Sequence, residues 1–445
     1  MKYVYNILIV ISPNLFWGIL SFILNTNRIY INIDYFFPVL LYIYGRKTWA
    51  IVFFIFLNFF DFVNIFSQIF PFIRFGDLIY LVKFSLLSSW INFLIPVFFL
   101  FFICTYFALL NMLTLKIKKV FIFLIFNILL FLLVIQNYFF DIESNRLWKN
   151  DSKYIVQSQL LNAYELRSDG FIQGFSIEGD AFNDIKLKSA SEDLFQVDDK
   201  RNKILLIVNE SWGRALDSSI NIDIVSDIIK NNLVEYYALS AMNVNGFTIN
   251  AEIRELCQKD LKHFNLKNQI KGFENCLPNI YKKKGYHTYA MHGATGAMYD
   301  RKYWYPKVGF DALIFRDTVN NLNSRCYSFP GFCDRDLNQF VANAFREKNV
   351  FFYWLTLNTH VNYDLNDLKK DHFNCAKYNI ENNSSSCRNL KLQKQFFYYL
   401  GELIVKPEMK GVDVIVVGDH EAPTYGENKT VFFENQVSIL KFKVK

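Results

Sequence analysis

Hydrophobic residues along this chain follow two different rules. Up to about residue 140 they run in long stretches with little polar interruption: "YNILIVISPNLFWGILSFIL", "AIVFFIFLNFFDFVNIFSQIF", "INFLIPVFFLFFICTYFALLNML" and "VFIFLIFNILLFLLVIQNYFF". Each is about 20 residues or longer, enough to cross ~30 Å of hydrocarbon at ~1.5 Å per residue. A fifth, weaker span is "IYINIDYFFPVLLYIYG", which carries Asp34 and Pro38. "IFPFIRFGDLIYLVKFSLLS" (69–88) mixes charge too freely to span and reads as an amphipathic stretch lying in the interface. From about residue 201 the apolar runs shorten to strand length and alternate with helical patterns, which predicts an α/β domain with a mostly parallel sheet. The expected organisation is a transmembrane domain of about five helices (1–140), a polar juxtamembrane connector (141–200) and an α/β domain (201–445).

Composition sharpens this division. The chain has 445 residues, 48 Phe and 26 Tyr, and is 18% aromatic; more than half of the Phe lie in the first 140 residues, and nearly all the acids follow them. Lys2, then Arg46 and Lys47, then Lys116, Lys118 and Lys119 flank the spans on what would be one side, the cytoplasmic one. The second domain then faces the periplasm or exterior. No small-residue cleavage site follows the first span, which reads as an uncleaved anchor. The net charge of +7 is spread without the stripe of a nucleic-acid footprint.

Cysteine usage agrees with an external second domain. Cys104 lies within a span, and the other six (257, 276, 326, 333, 375 and 387) lie in the second domain. An even number in an oxidising compartment predicts disulfides, and the sequence-local pairing is Cys257–Cys276, Cys326–Cys333 and Cys375–Cys387. A zinc cluster is the rival arrangement, although no C-x-x-C spacing is present.

Four strand-like runs end in chemistry. "KILLIVNESWG" ends in Asn209, Glu210 and Ser211; "YHTYAMHG" ends in His292; "FFYWLTLNTH" ends in Asn358, Thr359 and His360; and "VDVIVVGDHEAP" ends in Asp419 and His420. In open α/β sheets ligands bind at the carboxyl ends of the strands. Acids and imidazoles delivered there from separate strands suit a divalent metal. A nucleophile is expected in "VNGFTINAEIREL", a glycine turn leading into a helix with Thr248 at or near its N-cap. Thr248 serves there either as a plain cap or as a hydroxyl at a helix N-terminus that favours anionic groups.

The set "NES", "GFTINAE", "MHG…YDR…GFD", "LTLNTH" and "VVGDH" behind N-terminal spans resembles the membrane-anchored phosphotransferases of the alkaline phosphatase/sulfatase superfamily. Lipoteichoic acid synthases and phosphoglycerol transferases are the nearest group, with phosphoethanolamine transferases more distant. The resemblance implies a sulfatase-like domain in which Glu210, Thr248, Asp419 and His420 bind one divalent cation, Mn or Zn, with Mg compatible. It implies that Thr248 is the nucleophile, that Arg301 and His360 hold the substrate phosphate or head group, and that His292 and Tyr299 lie nearby. Where the synthases commonly have an aromatic residue and Asn before the arginine, this chain has Tyr299 and Asp300.

The implied reaction is a two-step transfer of phosphoglycerol from a phospholipid, phosphatidylglycerol, to an envelope glycan or glycolipid through phospho-Thr248, at the bacterial inner membrane. Transfer of phosphoethanolamine from phosphatidylethanolamine to lipid A or another surface glycan is the main alternative, and an inactive membrane scaffold the third. A true sulfatase needs Cys or Ser in a C/S-x-P-x-R context, which Cys257 in "LCQKD" does not supply.

Overall fold

The computed structural model describes residues 2–23, 28–69, 91–113, 119–139, 155–161, 173–184, 188–196, 201–320, 322–329, 331–361, 363–424, 427 and 430–445. The chain divides into two units, residues 1–176 and 177–445. Residues 155–161 of the expected connector therefore belong with the helices, and residues 177–196 with the sheet.

The first unit contains α1 (Lys2–Ile23), β1 (Ile31–Asn32), α2 (Phe36–Ile43), α3 (Lys47–Ile69), α4 (Ile91–Leu113), α5 (Lys119–Phe139) and β2 (Val156–Gln157). Four of its helices thus have 21 to 23 residues. Among the described residues, one segment, Lys119–Gln136, is long and apolar enough to cross a membrane. The expectation for residues 29–45 needs correction. They form a two-residue strand, a 3-10 turn and an eight-residue helix, which at 1.5 Å per residue extends only about 12 Å. The cause is polar: the Asn32 side chain caps the turn at Asp34, and Asn32 joins a buried cluster around Asp61. The interfacial stretch expected at 69–88 lies, beyond residue 69, outside the described residues.

That cluster is fully desolvated. Arg28 grips Asp61 through Nε–Oδ1 (2.7 Å) and Nη2–Oδ2 (3.0 Å), and both side chains are at most 1% exposed. The Tyr35 hydroxyl and the Asn32 carboxamide donate to Oδ2 (2.6 and 3.3 Å), and Gln159 Nε2 donates to Oδ1 (3.1 Å). Deleting one member of such a pair leaves an uncompensated charge and costs ~3–5 kcal/mol.

The second unit runs β3 (Phe182–Asp184), β4 (Lys203–Asn209), β5 (Gly213–Ala215), α6 (Ser218–Ile224), α7 (Ser226–Ile229), β6 (Val234–Asn243), α8 (Thr248–Cys257), β7 (Lys259–Leu261), α9 (Leu277–Lys283), β8 (His287–His292), α10 (Arg301–Val308), β9 (Ala312–Ile314), α11 (Asp334–Ala344), β10 (Val350–Leu355), α12 (Ser385–Ile404), β11 (Asp413–Gly418) and β12 (Phe432–Val444). An eight-stranded sheet has the order β5-β12-β11-β4-β10-β8-β9, and β6 also pairs with β12. From β11 to β9 every pairing is parallel. Strands buried on both faces read as unbroken apolar runs, and all six residues of β10 and of β11 are buried. Leu205, Ile207, Phe352, Trp354, Val414 and Val416 pack one face against α6, α7, α11 and α12. On the other face Phe351 stacks on Tyr281 of α9, and Tyr353 meets Tyr305 of α10 edge-on. Each fully buried aliphatic or aromatic side chain contributes ~1.5–3 kcal/mol.

Two of the three expected disulfides are present, Cys257–Cys276 and Cys375–Cys387. The third is not: Cys326 and Cys333 are thiols. Their sulfur atoms lie close together, in one cluster with Asp367, and each has a further partner. Cys326 Sγ donates to Asp367 Oδ2 (3.2 Å) and accepts from the Asn358 amide, whereas Cys333 Sγ donates to the Arg325 carbonyl (3.0 Å). Alkylation of the denatured, unreduced protein should therefore label three cysteines, 104, 326 and 333. Labelling of Cys104 alone, read by peptide mass spectrometry, would show that the third bond forms.

Candidate active site

Register brings the candidate residues together. Leu355 of β10 lies opposite both Val208 of β4 and His292 of β8, and Gly418 of β11 lies opposite Asn209 of β4. The strands therefore stop at one level, and the residues just beyond them share one edge. Gly418 is required there: a Cβ would sit 2.2 Å from the Trp212 carbonyl oxygen.

Side-chain bonds pin the end of β4. The Glu210 carbonyl accepts from Thr359 Oγ1 (2.5 Å) and Gln393 Nε2 (2.9 Å), and its N–H donates to Thr356 Oγ1 (2.9 Å). Ligating atoms of Glu210, Asp419 and His420 converge to within 4.8 Å of one another. His420 Nε2 lies 3.3 Å from Asp419 Oδ2 and 3.6 Å from Glu210 Oε1. Asp419 Oδ1 accepts the backbone N–H groups of Ser211 and His420 (2.7 and 2.8 Å), while its buried Oδ2 accepts no hydrogen bond among the described residues. Burial, then the charge of Glu210, lifts the Asp419 carboxyl to about 6. Burial lowers the His420 imidazole, but the charges of Asp419 and Glu210 outweigh it and the net shift is upward. Two carboxylates crowded beside an imidazole, with one oxygen lacking a donor, fit a divalent cation.

The histidines share one device. His292, His360 and His420 each hold Nδ1 against a backbone carbonyl, of Leu355 (3.0 Å), Val361 (3.1 Å) and Glu421 (2.8 Å) respectively. A carbonyl only accepts, so Nδ1 carries a proton in each, and where the ring is neutral Nε2 keeps its lone pair for the site. Burial pushes His360 down to about 4, and burial with the nearby Arg301 charge pushes His292 well below the usual range. Both are neutral acceptors at pH 7.

Thr248 is the first residue of α8 rather than its cap. The cap residue is Phe247, and Asn250 Oδ1 accepts its N–H (3.0 Å). That fold-back needs Gly246, at φ +80°, whose Cβ would meet Asn250 Oδ1 at 2.6 Å. Arg254, two turns into α8, reaches the Gly418 carbonyl (3.3 Å), fastening the helix to the end of β11. Arg301 is not an open fork: its Nε and Nη2 bond Glu252 Oε1 at 2.9 and 2.7 Å. Tyr299 lies with its ring 4.8 Å from the Arg301 guanidinium carbon.

Several supporting residues escaped the sequence reading. Glu252 and Arg254 read as ordinary polar helix positions, although three charged residues within one helix (Glu252, Arg254, Glu255) are themselves a signal. Asp334 heads α11 and accepts the N–H groups of Leu357 (3.0 Å to each oxygen) and Asn358 (2.7 Å), so it shapes the turn that leads to His360.

The model of the sulfatase family matches residues 203–432, just over half of the chain. The chain belongs to the sulfatase family. Solved structures similar to it include an alkaline phosphatase superfamily protein from Vibrio parahaemolyticus (14% identity, 60% of this chain and 65% of that one, TM-score 0.43). Others are the lipoteichoic acid synthase LtaP from Listeria monocytogenes (13%, 57% and 71%, 0.43) and the phosphoglycerol transferase GacH from Streptococcus pyogenes, solved with sn-glycerol-1-phosphate (14%, 59% and 78%, 0.42). No curated protein matches. This sulfatase-family chain thus spans about two thirds of the Vibrio structure's length.

Two outcomes are expected. Asp419→Ala should weaken Mn or Zn binding, measured by calorimetry, by more than ~100-fold, beyond the 10–100-fold typical of outer-shell partners. Burial lifts the Asp334 carboxyl to about 7. A raised folded-state value stabilises fully below the ordinary carboxylate range and is lost as pH climbs through 7. Asp334→Asn should therefore flatten the fall in melting temperature between pH 5 and 8.

Proposed function

We propose that this chain transfers a phosphoglycerol group from a phospholipid, phosphatidylglycerol, to an envelope glycan or glycolipid, through a phosphodiester formed on Thr248. The observation that carries this reading is the convergence of Glu210, Asp419 and His420 beside β11, with α8 fastened to the same strand end by Arg254. Within the sulfatase family, the hydroxyl at this helix start argues for phosphorus rather than sulfate esters. Threonine carries a secondary alcohol, so it cannot be oxidised to the aldehyde that sulfatases use.

Glu210, Asp419, His420 and the Thr248 hydroxyl would hold one Mn or Zn ion. When bound, a divalent cation supplies Lewis acidity that favours the ionised hydroxyl and offsets phosphoryl charge. Thr248 Oγ1 attacks the phosphodiester, the bond to diacylglycerol breaks, and an acceptor hydroxyl later displaces Thr248. Arg301 presents donors to the phosphoryl oxygens. His292 and His360, neutral with Nε2 lone pairs, would repel an anionic oxygen but accept from a hydroxyl, which places them at the head group or the incoming alcohol. Transfer in two covalent steps predicts ping-pong kinetics.

We also propose that the first unit anchors the protein in the inner membrane as a multi-pass domain. Supporting this are the apolar span Lys119–Gln136 and the exposure of Val120, Phe123, Phe131 and Val134 on α5. The two disulfides favour an extracytoplasmic site. Anchoring holds the site near a lipid donor and raises its effective concentration.

Incubation of the full chain with phosphatidylglycerol and Mn should give a mass increase equal to phosphoglycerol and release diacylglycerol. Thr248→Ala should abolish both, with turnover reduced ~10⁴-fold or more. An adduct equal to phosphoethanolamine from a mixed lipid supply would transfer the reading to that head group. Absence of both adduct and diacylglycerol would leave an inactive scaffold.

A further inference from the structure

Glu252 lies four residues after Thr248 in α8, on the same face one turn along, so its Cβ is ~5–6 Å from that of the nucleophile. It is fully buried. Its Oε1 receives both Nε and Nη2 of Arg301, and its Oε2 receives the Tyr305 hydroxyl and, at 3.4 Å, that of Tyr353. Arg301 is presented to it by an unusual backbone. Tyr299 and Asp300 stand at φ +52° and +56°, a left-handed conformation that costs a residue with a side chain ~1 kcal/mol or more. Trp304 Nε1 holds the turn through the Tyr299 carbonyl (3.0 Å), and Lys302 N–H through the Gly296 carbonyl (2.8 Å). Arg301 Nη1 has no hydrogen-bond partner among the described residues. One edge of the guanidinium is committed, and the other is left for a ligand.

A guanidinium neutralised in this way still donates along fixed directions, but it adds almost no net positive charge. We propose that Glu252 is a specificity-determining residue: it cancels the charge of Arg301, so that the site accepts a monoanionic phosphodiester and discriminates against a dianionic phosphate monoester. This rests on the reading of Thr248 as the phosphoryl acceptor, and it extends that reading to the charge state of the substrate. At ~7 Å and an effective dielectric constant of about 20, one unit charge on Glu252 acts differently on the two ligands by more than a factor of ten. With two carboxylates already at the cation, a third negative group beside the arginine leaves little to offset a second phosphate charge.

The test uses the full chain loaded with Mn and two probes, dimethyl phosphate (monoanion) and inorganic phosphate at pH 8 (dianion), with affinities measured by calorimetry. Glu252→Gln keeps an oxygen facing Arg301 but removes the charge, and it should improve phosphate relative to dimethyl phosphate by roughly tenfold. Glu252→Asp, which keeps the charge, should hold the wild-type ratio. The double variant E252Q/R301Q removes both charges together, a replacement that buried pairs tolerate better than single loss. It should weaken both anions yet return the ratio to the wild-type value. If E252Q does not fold, the double variant decides: a ratio shifted tenfold towards dimethyl phosphate would mean that Glu252 contributes no discrimination. Equal changes for both probes in E252Q, or binding of neither probe to the wild type, would also overturn the proposal. None of these readouts needs transfer activity, so failure of the Thr248 reaction would be seen separately, in the absence of a mass adduct.

Discussion

The in-register parallel pairing of β4 with β10 and β11 is the constraint on which the site depends. A slip of one residue would turn every side chain of a strand to the opposite face of the sheet. It would also carry Glu210 or Asp419 ~3.3 Å along the strand axis, out of reach of its partners. Burial on both faces is what prevents the slip, since β10 and β11 have no exposed residue to trade. The hydrogen bonds from Thr356, Thr359 and Gln393 then refine a position that the sheet has already set.

The electrostatics follow from that placement. Burial, with the Glu210 charge beside it, raises the proton affinity of Asp419, whose Oδ2 finds no donor among the described residues. The histidines are prepared differently: backbone carbonyls fix their tautomers, so their orientation costs little when a ligand arrives. Charge crowding and tautomer control are separate devices, and both are built from atoms at strand ends.

Much of this was legible in the sequence for a simple reason. A buried strand cannot carry an acid in its middle, so Glu210, Asp419 and His420 at the ends of apolar runs announce an edge. Local cysteine spacing identified Cys257–Cys276 and Cys375–Cys387 because short loops close easily. The illegible features depend on contacts between residues far apart in the chain. Nothing near Cys326 reveals that Asp367 and Asn358 will occupy its sulfur. Nothing near Arg301 reveals that Glu252, 49 positions earlier, will take its Nε and Nη2 donors. Residues 29–45 failed as a span because Asn32 is drawn into bonds with Asp61 and Asn14 that hydropathy does not register.

The Arg28–Asp61 cluster bears on how the first unit is made. Its carboxylate is satisfied by residues 28, 32, 35 and 159, the last of which is synthesised almost a hundred residues after Asp61. During synthesis the ion pair can form early, but Gln159 arrives only after α5 is complete. Asp61 therefore lacks its Gln159 donor until residues 155–161 have been synthesised. Completion of the cluster is in this sense set by the order of synthesis, since its last donor lies beyond α5.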